Sequence, residues 1–133
     1  MTKNTMSIGE LSKASGLSTH TLRFYEKLGI LKPADRAASG HRQYRADAVA
    51  WLDFVLRLKI TGMPLAEIRK YAQLRAVGDT TFRPRLTMLE LHRKRLVSNI
   101  AELSENLAAL DTKIRTYRKW LTSPAKSAPK VKK

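Results

Sequence analysis

Two short stretches of this 133-residue chain gather side chains that could do chemistry. Between Thr19 and Leu28, a helical wheel puts Thr19, His20, Arg23, Glu26 and Lys27 on one side. Thr21, Leu22, Phe24, Tyr25 and Leu28 spread over the other. The first group suits the major groove of duplex DNA, where Arg reads guanine edges and its neighbours reach bases or phosphates. Shortly after it, residues 33–45 read P-A-D-R-A-A-S-G-H-R-Q-Y-R. This is turn chemistry with a Ser39-Gly40 corner, and it predicts a small hairpin, or wing, carrying Arg36, His41, Arg42, Tyr44 and Arg45. Basic residues with an aromatic suit phosphate contacts beside a groove. Each stretch alone also fits a solvated charged helix face and an ordinary basic loop.

Other chemistries find no support. The histidines, His20, His41 and His92, fall in different elements, and none pairs at a metal-ligand spacing such as H-x-x-x-H. Cysteine is absent, which excludes disulfides, thiolate metal sites, thiol nucleophiles and cysteine redox sensing. There is no Gly-rich phosphate loop, and the carboxylates are scattered along helices that already account for them. The chain is therefore expected not to be an enzyme and to need no cofactor or metal. Lys and Arg total 26 against 11 Asp and Glu, a net charge of +15, while 43% hydrophobic residues suffice for a core. Such a charge points to a polyanionic partner, with nucleic acid the default. Residues 1–78 hold 13 basic and 6 acidic residues, residues 79–121 hold 9 and 5, and the last twelve hold 4 and none. The footprint is thus mainly on folded surface. No apolar stretch approaches the ~18 residues of a membrane span, and no signal-peptide core opens the chain. A cytoplasmic, nucleoid-associated location and no membrane partner are expected.

The elements that must hold these residues can be read from caps and spacing. Ser7-Ile8-Gly9-Glu10 is a capping box, predicting a helix to about Ser15 that buries Ile8, Leu11 and Ala14. Gly16 permits a left-handed exit, and Ser18 caps a second helix that ends near Gly29, with Ile30 and Pro33 beyond. Two short helices joined by a Gly turn have the shape of a helix-turn-helix. A third helix is predicted from about Ala46 to Thr61, with Val49, Leu52, Val55, Leu56 and Ile60 at helical spacing, widened by Trp51, Phe54 and Leu58. Arg45 then stands at its cap, where a cation opposes the helix dipole, a cost that suggests a phosphate-binding task. Pro64 suits the first turn of a fourth helix, to about Val77, with Leu65, Ile68, Tyr71, Ala72 and Leu74 inward.

T-L-R-F-Y-E-K-L-G-I-L-K-P at 21–33, G-H-R-Q-Y at 40–44 and T-G-M-P-L-A-E-I at 61–68 together resemble the MerR family of bacterial transcription regulators. The likeness runs from Ser7 to about Gly78 and continues into the coil below. It implies an all-α chain with a small β wing, a winged helix-turn-helix DNA-binding domain over residues 1–78, and a regulator that binds promoter DNA as a homodimer, distorts it, and works with RNA polymerase. By this resemblance Arg23 and Tyr25 contact DNA, Arg42 and Tyr44 grip its backbone from the wing, and Phe24 is core. Tyr25, on the apolar side of the wheel, would pack its ring inward and offer its hydroxyl to a phosphate. Lys59 is a further phosphate candidate. His41 stands where the family usually has an aromatic. The DNA-contacting set expected is Ser18, Thr19, His20, Arg23, Tyr25, Lys27, His41, Arg42, Tyr44, Arg45 and Lys59.

From Phe82 to Leu121 the apolar spacing alternates 4, 3, 4, 3. One column is Phe82, Leu89, Leu96, Leu103, Leu110 and Tyr117; the other is Leu86, Arg93, Ile100, Leu107, Ile114 and Leu121. This predicts a coiled coil over residues 79–121, a rod of about 60 Å at 1.5 Å per residue. Nothing of comparable length in the chain can bury the stripe, so a second copy is the simplest partner. The heptads do not fix its direction, although the resembling helices pair antiparallel. Arg93 either sets register or lies where the seam opens onto the N-terminal domains. Residues 122–133 read as a flexible basic tail. Larger members of the family carry an effector domain after the coil and metal-sensing members carry cysteines at its end, so no effector can be named. Tyr117 and Trp120, with Trp51, are the only pocket material, and packing accounts for them as well. Two other functions fit the same features: a nucleoid-architectural or recombination-directionality protein, and a basic coiled-coil adaptor for RNA or ribosomes.

Overall fold

The computed structural model describes residues 5–33 and 40–123, with the backbone of 35 and 36. Among the described residues the elements follow in the order β1 (Thr5–Met6), α1 (Ile8–Ser15), α2 (Thr19–Lys27), β2 (Asp35–Arg36), β3 (Arg42–Arg45), α3 (Ala48–Ile60), α4 (Leu65–Val77), a 3-10 turn (Asp79–Thr81) and α5 (Phe82–Leu121). The Ser39 corner, the Arg36 side chain and residues 124–133 of the expected tail lie outside the described residues. None of the described helices is long and apolar enough to cross a membrane.

The helix-turn-helix forms as its caps dictate. The Ser7 N–H donates to Glu10 Oε1 at 2.8 Å, and the Glu10 N–H returns to Ser7 Oγ at 3.1 Å. Gly16 takes φ 78°, a left-handed geometry that costs a side-chain-bearing residue about 1–2 kcal/mol. Ser18 Oγ then accepts from the Thr21 N–H at 3.1 Å and starts α2. The wing is larger than its hairpin reading. β3 lies between β2 and β1, antiparallel to both, with Met6 opposite Tyr44 and Arg36 opposite Arg42. The chain ahead of α1 therefore supplies a third strand.

Leu11, Leu22, Tyr25, Ile30, Leu31, Tyr44, Trp51, Leu52, Val55, Leu58, Met63, Ile68 and Tyr71 form one core. Trp51 ties it together. Its indole N–H donates to the Ile30 carbonyl at 2.8 Å, one face stacks on Tyr71, and the Arg75 guanidinium lies 4.2 Å over its ring. Ala14, expected inside, is exposed, and Ile60 is 80% exposed. Ile60 sits at the last turn of α3, where the apolar period outlasts the helices that could cover it. Arg45 does not cap α3. It ends β3, and Asp47 occupies the N-cap, without a side-chain cap bond, so no cation opposes the helix dipole at that cap. Pro64 is likewise the cap of α4 rather than part of its first turn.

The chain divides into two compact units, Met1–His92 and Arg93–Lys133. The first therefore extends past the boundary at 78 and takes in the start of α5. Thr81 is buried, with its hydroxyl 2.6 Å from the Leu74 carbonyl and 2.7 Å from that of Gly78. Arg85 Nε donates to Thr81 Oγ1 at 3.0 Å. Met88 and Leu89 pack on the core, and buried His92 meets Thr61 Oγ1 at 2.7 Å through Nε2. The described part of the second unit is helical from Arg93 to Leu121. Ile100, Leu103, Leu107, Leu110, Ile114, Tyr117 and Leu121 are 46–85% exposed in the single chain. Near its end the rings of Tyr117 and Trp120 lie 5.5 Å apart.

Candidate nucleic-acid interface

Helix α2 is held at both ends. Ser18 fixes its start, and its last turn is met by Arg69 of α4, whose Nε donates to the Leu28 carbonyl at 2.9 Å. A cation bonded to a terminal carbonyl satisfies an orphan acceptor and complements the helix dipole. Nothing in local sequence spacing pointed to Arg69, because its partner lies forty-one residues away.

Between α2, the start of α1 and the wing lies a cleft of about 500 Å³. Arg23, His41, Arg42 and Tyr44, four of the expected residues, line it together with Ser7, Ile8, Glu26 and Gly40. His20, Arg23, Lys27, His41 and Arg42 are all exposed, while Thr19 is half-buried and Ser18 is occupied as a cap. A concave surface with cations from a helix and a strand, beside a helix whose outer face is polar, can seat a phosphate backbone and bring the helix to base edges.

Glu26 differs from its wheel reading. It does not reach outward: its side chain is 6% exposed and accepts hydrogen bonds from Arg42 Nη1 and from the Tyr44 hydroxyl. Alternate residues of a strand share a face, so Arg42 and Tyr44 arrive on the same side of β3. Tyr44, which the resemblance implied grips the DNA backbone, is fully buried, with its hydroxyl on Glu26. Burial, reinforced by the Glu26 hydrogen bond and charge and opposed by Arg42, pushes its phenol up to about 12.

Three expected contacts, Tyr25, Lys59 and Arg45, lie elsewhere. Tyr25 is 2% exposed and borders a second cleft of about 330 Å³ with Lys59, Thr21 and Phe24. Phe24, expected in the core, is 47% exposed there. Arg45 faces away from Arg42. Its Nε lies 3.5 Å from Asp47 Oδ1, and it borders a third cavity, of about 470 Å³, with Lys32, Trp51, Arg75 and Arg85. Among the described residues the wing cations therefore form two groups, His41 with Arg42 and Arg45 apart from them.

The known proteins similar to this chain are helix-turn-helix regulators. A family model described as MerR HTH family regulatory protein matches residues 6–74, and one described as MerR, DNA binding matches residues 49–113. An HTH-type transcriptional regulator of Haemophilus influenzae is 35% identical over 115 residues, covering 86% of this chain and 85% of that protein. The HTH-type transcriptional regulator AdhR of Bacillus subtilis is 33% identical over 92 residues, 69% of this chain and 66% of its own length. Among solved structures, HiNmlR, a MerR family regulator lacking the sensor domain and bound to promoter DNA, superposes with a TM-score of 0.77 at 33% identity, covering 90% of this chain and 95% of that one. A MerR family transcriptional regulator from Listeria monocytogenes gives 0.81 at 32% identity, covering 90% of each chain.

Proposed function

The chain belongs to the MerR family of helix-turn-helix regulators and is a DNA-binding transcription regulator of that type; from this premise we propose that it binds promoter DNA as a homodimer, one recognition helix and wing per half-site. The carrying observation is the cleft that gathers Arg23, His41 and Arg42 between α2 and β3. Arg23 reads bases from the groove, and Arg42 and His41 hold phosphates beside it. His20 and Lys27 extend the same exposed face of α2. Lys59 serves as an outlying phosphate contact.

The dimer forms through α5. A stripe of leucines and isoleucines from Ile100 to Leu121 that stays about half exposed or more in one chain finds its cover in the same stripe of a second. Two heads at fixed spacing distort the promoter and bring it into phase for RNA polymerase. Bending 20–30 bp costs on the order of 1–6 kcal/mol, which phosphate contacts from two wings can offset. The promoter-DNA complex of HiNmlR, similar over most of its length, supports this reading.

Selection from random duplexes, followed by binding measurements at 50 and 200 mM salt, tests it. An inverted repeat should emerge, with affinity falling ~10³–10⁵-fold across that range if six to ten phosphates are neutralised. Preference for single-stranded RNA, or many weak sites of no common sequence, would overturn it.

A further inference from the structure

Glu26 is an acid on a helix that docks against a polyanion. Plain electrostatics makes it a liability: a carboxylate beside Arg42 subtracts from the attraction that brings DNA in. Its geometry argues the opposite. The carboxylate receives Arg42 Nη1 on one oxygen and the Tyr44 hydroxyl on the other. Its side chain is 6% exposed and Tyr44 is fully buried, so the tyrosine side of the contact is sheltered, while the Arg42 side opens onto the cleft. The donors lie sixteen and eighteen residues along the chain, on one face of the central wing strand. Arg42 spends part of its fork on Glu26 and keeps its side chain 47% exposed, leaving other N–H groups for a phosphate.

Resting on the DNA-binding reading above, we propose that Glu26 is a positioning residue for DNA recognition, clamping the wing strand to the recognition helix and presenting Arg42 to the phosphate backbone. Arg42 then meets DNA already ordered, and wing and helix approach as one surface. The negative charge strengthens binding, because what it subtracts from the field is less than what it adds in preorganisation.

The two accounts differ in sign, and the full chain with the Glu26→Ala substitution separates them. Affinity is measured by fluorescence anisotropy on the selected duplex and on an unrelated duplex of equal length, across a salt series. The clamp predicts at least tenfold weaker binding to both, despite the added net positive charge. It also predicts a salt slope reduced by about one phosphate, as Arg42→Ala gives. In the doubly substituted chain, Glu26→Ala should then add little to Arg42→Ala. Glu26→Gln, which keeps an acceptor oxygen, should fall between Glu26→Ala and the unsubstituted chain. Equal or tighter binding by Glu26→Ala would overturn the clamp and leave the DNA-binding function standing. Weaker binding with an unchanged salt slope would reduce Glu26 to a role in folding and overturn it too. If Glu26→Ala does not fold, Glu26→Gln and Tyr44→Phe decide: both binding like the unsubstituted chain overturns the proposal. Failure of the unsubstituted chain to prefer any duplex would overturn the functional reading and the clamp with it.

Discussion

Arg23 and Arg42 line one cleft but should fail differently when removed. Arg23 rises from the exposed face of α2, so Arg23→Ala should lose sequence preference, by roughly 1–3 kcal/mol per base contact. Arg42 rises from the wing, so Arg42→Ala should weaken every duplex and flatten the salt dependence. Binding ratios for the selected and unrelated duplexes distinguish the two; an unchanged ratio in Arg23→Ala would remove it from the groove. Tyr44 supplies a different test. Its folded-state phenol is raised to about 12 from the ordinary 10. Its protonated form therefore contributes stability that is complete below pH 10 and is lost as pH climbs through 12. Tyr44→Phe should show a shallower decline in denaturant midpoint over that alkaline range than the unsubstituted chain, once other ionisations common to both are subtracted. At this scale the sequence was legible where chemistry is local. The capping of α2 by Ser18 needs only a spacing of three. The partners of Glu26 and Arg69 were not legible, because a wheel places a side chain on a face without saying what the fold will bring to that face.

The turn between α1 and α2 depends on a single backbone conformation. Gly16 sits at φ 78° with no atom near enough to obstruct an added Cβ, so Gly16→Ala should cost backbone strain without a clash. A loss of about 1–2 kcal/mol in urea unfolding is expected, with the DNA preference retained in the folded fraction. The helices α1, α2 and α4 were recoverable nearly to the residue, since Ser7, Gly16, Ser18 and Pro64 are local signals. The misplaced core residues share one cause. Apolar periodicity marks a stripe but not where its cover ends, which left Ala14, Phe24 and Ile60 exposed at the margins. The β1 strand was missed because two residues carry no alternation. It exists through its pairing with Arg45 and Tyr44, across nearly forty residues of chain.

For the molecule as a whole, the place where the head ends decides how it can be dissected. Thr81, Met88, Leu89 and His92 belong to the first compact unit, so Leu89 serves the head as well as the heptad stripe. A chain ended after His92 should fold and be monomeric by light scattering. One ended after Gly78 should be less stable, having lost the Thr61–His92 contact and the Thr81 hydrogen bonds. Leu107→Glu in the full chain should also give monomers and reduce operator affinity 10²–10⁴-fold, the gain that tethering two heads supplies. A dimer persisting in both shortened chains would assign α5 some other task. Diamide and mercury should leave DNA binding unchanged, as the chain offers them no thiol. The division into two units has an optical consequence. The chain's two tryptophans fall one to each, Trp51 at 7% exposure beneath Arg75 and Trp120 beside Tyr117 near the end of α5. Trp51 should emit at short wavelength and shift red only when the head unfolds. Trp120 should respond to dilution, when a second copy leaves its helix. The Trp120→Phe and Trp51→Phe chains would thus report folding and association as separate colours in one fluorimeter, with no dye attached.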